Sequence, residues 1–344
     1  MALLIDKIHN INSYTLDILS YLNGDSSRQI NECINKFNLS DTVRFDRAKT
    51  FSIVNHVLAS LISIYSFTNN ERVKLQLTEL GNRLLASFDY DDGSGNLNVN
   101  KVCPSMYMTL GPNPKYINDG VNSGIPVAEA GSVFVEMHAL SDSLSDDSYN
   151  KASKFCEDTI EKVLEKETTY SVTHGVLVPE MPRVMFHRAS ERFSGFKTLG
   201  AGADSFVEYL LKIFIYTSDK KYLTKWANIH YDAAMHMTWT GKFTSNMKDA
   251  PSTFTLMGEV YDYGSLNLYM NHYLYMQPVN MIMGVHILRQ MNMITAEQRN
   301  KIEQNAKDLM MTCYYVFGSP SDNPDLGFAD AIRGDRAQGT ISTE

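Results

Sequence analysis

The sequence has little cysteine, no excess of positive charge and no long apolar run, and each shortage excludes something. Its four cysteines, Cys33, Cys103, Cys156 and Cys313, are scattered through 344 residues without metal-ligand spacing. Free thiols are therefore expected rather than a disulfide framework or a metal knot. Lysine and arginine number 31 against 39 acidic residues, a net charge of -8 with a pI near 5.6. Such a chain is repelled at long range by nucleic acid and by anionic lipid, so neither is the expected partner. No uninterrupted run of about eighteen apolar residues is seen, which predicts no membrane span. The opening MALLIDKIHNINSYTL has too short an apolar patch, broken by Asp6 and Lys7, for a secretion signal. As written the chain reads as cytoplasmic, with the secretory pathway as the alternative if the N-terminus is incomplete. A phosphate-binding glycine loop is also missing, because GAGAD (200–204) lacks the preceding strand and the spacing of a dinucleotide site.

What the sequence does have is repetition. Four stretches, beginning at Ala59, Val135, Val207 and Gly284, share one plan: an apolar helix, a short turn of Thr, Ser, Asn and Asp, then a more charged amphipathic helix. The turns fall near Asn69, Asp146, Ser218 and Thr295, about 72 to 78 residues apart, and a weaker copy occupies 15–37. Polar turns of this kind join antiparallel helices and supply N-caps to the outgoing one. The more apolar first helices and more charged second helices predict an inner and an outer ring, an all-α toroid of helical hairpins, although a linear solenoid gives the same pattern. Hydrophobic content of 44% suffices for a substantial core, and without a linker the whole of 1–344 reads as one domain. Long irregular segments between hairpins are expected to carry function, with a few short strands at YSVTHGVLVPEM (170–181).

Acidic pairs stand out on the inner helices. In LGAGADSFVEYLLKIF, Asp204 and Glu208 are four apart and share a helix face away from Phe206, Leu210, Ile213 and Phe214. In IPVAEAGSVFVEMHALS, Glu129 opens a helix and Glu136 follows seven residues later on the same face. Such pairs face either water or a cavity. In a toroid the helix starts converge on one rim, which would gather Glu129, Asp204 and Glu208 there, with His272 and Tyr273 nearby. Acids and aromatics around a cavity suit a carbohydrate, since carboxylates accept bonds from sugar hydroxyls and pairs of them cleave glycosides.

The stretches VAEAGSVFVEMHALSDSLSDDSY and LGAGADSFVEYLLK, in this order and separation, resemble two signature helices of the class I α-1,2-mannosidases, glycoside hydrolase family 47. The resemblance continues through TLDILSYL, the segment from Leu58 to Asn100, HYLYMQP and GVHIL. It implies a partial (α/α)7 barrel without its C-terminal hairpins, and in the family a calcium ion and inverting hydrolysis of high-mannose glycans. Carried over by residue, Asp204 matches an aspartate among the catalytic carboxylates. Glu129 and Glu208 match acids that hold the sugar and the water around the calcium, and His272 matches a histidine lining the pocket.

The departures from the family concern the chemistry. Where its signature Phe-Glu-Thr-Thr-Ile-Arg carries the general acid, this chain reads FSIVNH, with Ser52 for the glutamate and His56 for the arginine. The family's Arg-Pro-Glu base segment and the threonine ligand of calcium match nothing up to Glu344, so no cofactor is expected. Cys313 fits one half of the family disulfide and Tyr275 stands at the other. The resemblance thus implies a catalytically impaired homologue with a residual sugar cavity; an active α-mannosidase and a helical scaffold without a sugar site are the alternatives. Expected partners are a high-mannose glycan or glycoprotein, and a second copy or another protein at the open seam of the barrel.

Overall fold

The computed structural model describes residues 47–91, 97–98, 102–111, 113–117, 124–175, 177–243, 251–261, 264–317 and 331–343. Four of the repeated hairpins fall within these residues, and the weaker copy at 15–37 lies outside them. The first hairpin pairs α1 (Thr50–Thr68) with α2 (Glu71–Leu85). After the short helix α3 (Val127–Gly131), the second pairs α4 (Phe134–Leu144) with α5 (Asp147–His174). The third joins α6 (Asp204–Thr217) to α7 (Lys220–His236), and the fourth α8 (Gln277–Gln290) to α9 (Ala296–Thr312).

One local solution closes all four turns. The incoming helix is followed at its end by a left-handed residue, Asn69, Ser145, Ser218 or Asn292, with φ between 48° and 62°. This conformation frees the chain to reverse within a few residues. The outgoing helix is then capped by a side chain that accepts from an otherwise unpaired backbone N–H. Asn70 caps Arg72, Asp146 caps Ser148 and Asp219 caps Lys221, while Thr295 and Gln298 form a reciprocal capping box. The Ser148 backbone N–H also holds the Asp146 carboxyl below its ordinary pKa.

The chain divides into two compact units, each with its own core. Unit 1 comprises Met1–Ile125, Glu129–Ile160 and Arg188–Ser190; unit 2 comprises Pro126–Ala128, Glu161–His187 and Glu191–Glu344. In unit 1, Leu58 and Leu61 of α1, Leu77, Leu80 and Leu84 of α2 and Met137 and Leu140 of α4 are buried. Gly81 lets α2 approach closely, since a β-carbon there would stand 2.8 Å from both Leu140 and Tyr149. The Tyr149 hydroxyl donates to Asn82 at 2.9 Å, and burial pushes it up to about 12. Helix α1 has no Asp, Glu, Lys or Arg over its 19 residues and a mean hydropathy of 1.4 in an 18-residue window, so by length and composition it could cross a membrane. Here its middle packs against α2 and α4.

Unit 2 builds its core between the third and fourth hairpins and a five-stranded sheet. Trp226 of α7 is fully buried and donates to Asn280 of α8 at 2.5 Å. His230, one turn on, is also fully buried, and desolvation pushes it down to about 3, so it is neutral there. The sheet has the order 254–257, 238–243, 340–343, 331–335, 269–271, antiparallel except for the parallel pair between 340–343 and 238–243. Thr312 at the end of α9 bonds to the Thr255 carbonyl at 2.6 Å and fixes the helix on the sheet. The fourth hairpin leaves Tyr273, Tyr275, Val279, Ile282 and Met283 about half exposed, so this Met- and aromatic-rich stretch is only partly core.

Three expectations are corrected. Residues 170–174, expected as strand, continue α5, because the helical run carries on as far as Gly175, whose φ of +66° ends it; the strands lie at Met185–His187 and Arg192–Ser194. Glu129 and Glu136 do not share a helix face, because the chain breaks between α3 and α4 at Ser132 and Val133, after the weak helix former Gly131. Cys103 and Cys156 are not free thiols but form a disulfide within unit 1, 53 residues apart in sequence. Cys313 is free and buried.

Candidate functional site

The residues singled out by the sequence are divided between the two units. In unit 1 the strand residue Lys49 leads directly into α1. Its ammonium lies 2.6 Å from Glu129 Oε1, with side-chain exposures of 40% and 14%. Six residues after Lys49, Asn55 Nδ2 donates to Ser132 Oγ at 3.3 Å. Two polar links, Lys49 to Glu129 and Asn55 to Ser132, therefore join the same two segments, and Ser52 stands between them in sequence.

This part of α1 is not regular. Residues Ile53–Leu58, with Asn55 and His56 among them, form a π-helical turn, a distortion that is uncommon and often found at functional sites. Phe51 meets His56 edge-on at 6.4 Å. Glu129 Oε2 and Thr50 Oγ1 are both buried without a hydrogen-bond partner. A buried acceptor and a buried hydroxyl left unsatisfied so close together in sequence to an ion pair are costly and call for an explanation.

In unit 2, Asp204 is the first residue of α6 and is buried, and Glu208 one turn later is partly exposed and paired with Lys212 at 2.8 Å. The helix that the sequence predicted is there, with Phe206, Leu210, Ile213 and Phe214 buried. The Glu208–Lys212 pair is an ordinary i,i+4 contact. His272 opens a 3-10 turn, His272–Met276, and its ring stacks on Tyr273 at 4.3 Å.

Two contacts tie the segment carrying His272 to the start of the Asp204 helix. Asn271 Oδ1 accepts from the Ala201 N–H at 3.2 Å, and Gln277 Nε2 donates to the Asp204 carbonyl at 3.1 Å. Gly200 makes the first possible, since a β-carbon there would lie 2.8 Å from Asn271 Oδ1. Asp204 and His272 are thus on neighbouring segments of one unit, while Glu129 belongs to the other unit.

Sequence reading missed several buried ionisable groups of unit 2. Lys197 is 1% exposed and donates to Val178 O, Pro179 O and Ser171 Oγ at 2.9, 3.3 and 3.3 Å. Burial pushes its ammonium down to about 8. Glu259 is 3% exposed, receives Tyr261 and Asn267 at 3.3 and 3.4 Å, and is raised by burial. Burial also raises Glu180 and Asp232. The sequence signal was present in TLMGEV, where one acid interrupts an apolar run. Among the described residues no three His, Cys, Asp or Glu side chains are grouped so as to hold a metal ion.

Helical hairpins repeated at one spacing, with an acid in the first turn of the first helix of the second and third, place the chain among the α/α hairpin folds. The sequence profile described as Glycosyl hydrolase family 47 matches residues 15–322, and the chain belongs to that family. It is 26% identical over 268 residues to the human endoplasmic reticulum mannosyl-oligosaccharide 1,2-alpha-mannosidase, an alignment covering 77% of this chain and 33% of the human protein. Its fold matches an alpha-1,2-mannosidase from Trichoderma reesei with a TM-score of 0.66 at 18% identity, over 93% of this chain and 62% of that one. The fold is thus the α/α fold of these mannosidases, and the chain spans less than two thirds of the length of either relative.

Proposed function

We propose that this mannosidase-like chain binds the terminal mannose of high-mannose glycans without cleaving it at an appreciable rate. The observation that carries this is Ser52, a hydroxyl at the position where the family resemblance puts the general acid, three residues after Lys49. Inverting cleavage needs one group to protonate the leaving oxygen and a second to activate water, each worth about 10² to 10⁴ in rate. An aliphatic hydroxyl is far too weak an acid for the first task. Asp204 remains as the candidate catalytic carboxylate, with Glu129, Glu208 and His272 as sugar contacts.

The Cys103–Cys156 disulfide supports folding in an oxidising compartment, and the human relative is named for the endoplasmic reticulum. The secretory pathway is therefore the proposed location, in place of the cytoplasm.

The test is to incubate the purified chain with a high-mannose glycan, with and without calcium, and to measure both mannose release and binding. Binding without release is expected, and Ser52→Glu alone should not restore turnover, because groups that act as a unit are strongly non-additive. Calcium-dependent release abolished by Asp204→Asn would establish an active enzyme instead. Neither binding nor release would leave a helical scaffold, the reading that the ordinary Glu208–Lys212 pair favours.

A further inference from the structure

We propose that Lys49 is a ligand-contacting residue, which together with Glu129 forms a donor and acceptor pair for adjacent hydroxyls of a sugar. The inference rests on the reading of Glu129 as a sugar contact and adds to it a residue that the family resemblance does not supply.

The geometry sets out both halves of the pair. Lys49 Nζ spends one of its three N–H donors on Glu129 Oε1 at 2.6 Å, and 40% of the side chain is exposed. Glu129 is far less exposed, at 14%, and its second oxygen is buried without a donor. A carboxylate with one oxygen on an ammonium and the other unserved is short of hydrogen bonds. A hydroxyl both donates and accepts, so two neighbouring hydroxyls meet the ammonium and the carboxylate at once.

A merely structural role explains these features less well. Half-exposed ion pairs add little to stability, because water screens them and the long side chains lose freedom when held. The pair is nonetheless kept in register by the second link, Asn55 to Ser132 at 3.3 Å, across the π-helical turn. Thr50, next to Lys49 and 2% exposed, adds another buried hydroxyl without a partner. The unserved oxygen of Glu129 and the held ammonium of Lys49 together offer an acceptor and a donor of the kind that a polyol matches.

The experiment uses the full chain and α-1,2-linked mannobiose. Calorimetric titration should show Lys49→Met and Lys49→Gln weakening binding about ten- to a hundredfold, the range expected for losing a charge-assisted hydrogen bond. Lys49→Arg should recover most of the affinity, and the ligand-free melting temperatures should stay close together. Reductive methylation followed by mass spectrometry needs no variant: saturating mannobiose should slow modification of Lys49 several-fold and leave Lys307 unchanged. If the unmodified chain binds mannobiose and Asp204→Asn weakens it, yet Lys49 methylates at the same rate with sugar and its variants bind normally, the inference is wrong and the functional reading stands. If the unmodified chain does not bind mannobiose at all, the functional reading itself fails.

Discussion

Gly284 of α8 faces the indole of Trp226 on α7 so closely that a β-carbon at 284 would overlap the ring. Trp226 is fully buried and anchored through Asn280, so the ring has no room to give way. Gly284→Ala should therefore destabilise unit 2 despite removing a glycine from a helix. Overpacking of this kind costs about 1 to 3 kcal/mol, more than the gain in helix propensity of up to about 1 kcal/mol. Urea denaturation followed by Trp fluorescence would check it; an unchanged or raised midpoint would contradict the packing.

Gly200→Ala should act on the candidate site rather than on the core. The added methyl meets the Asn271 carboxamide at 2.8 Å and displaces the acceptor of the Ala201 N–H. That contact links the start of the Asp204 helix to the His272 segment. Mannobiose binding should fall at least several-fold, with far-UV circular dichroism unchanged. Equal affinity in the variant would mean that these two segments do not cooperate in binding.

The hairpins were legible in the sequence because their signals are local. The turns at Asn69, Asp146, Ser218 and Thr295 each set a polar residue with a known capping role between two apolar periods, and the caps formed as expected. Helix α6 and its acidic first turn were legible for the same reason. The disulfide was not, since the proximity of Cys103 and Cys156 is set by the fold of unit 1 and not by anything near either residue. The five-stranded sheet joins strands from 238 to 343 whose partners are up to about a hundred residues away, and pairs at that distance leave little local trace. Lys197 was passed over because its burial depends on acceptors on segments some twenty residues upstream.

Lys197 makes stability depend on alkaline pH. Its folded-state value of about 8 lies below the ordinary 10.5, chiefly through burial, with Glu167 and Asp232 opposing and Arg183 reinforcing the shift. Between those values the unfolded chain holds a proton that the folded chain has lost, so stability should rise as pH goes from about 8 to 10.5. The rise over the window is on the order of 3 kcal/mol. Denaturant titrations across this range should show it in the unmodified protein and not in Lys197→Met. Equal slopes in the two proteins would show that the ammonium is not buried at a cost.

The Cys103–Cys156 bond should contribute strongly to unit 1. Closing a loop with a sequence separation of 53 restricts the unfolded chain by about 4 kcal/mol in the chain-entropy account. Cys103→Ser paired with Cys156→Ser should lower the melting temperature by several degrees, and reductant should shift the unmodified protein but not the double variant. A melting curve insensitive to reductant would show that the bond does not form.

That bond also encloses Glu129 and Ser132 in a covalent ring, since both lie between the two cysteines. A protease that cuts the backbone once anywhere from 104 to 155 leaves the polypeptide in one piece. On a gel without reductant the nicked protein would migrate near the intact chain, and with reductant it would part into two fragments. The acid that pairs with Lys49 therefore sits on a stretch that can be broken without being lost.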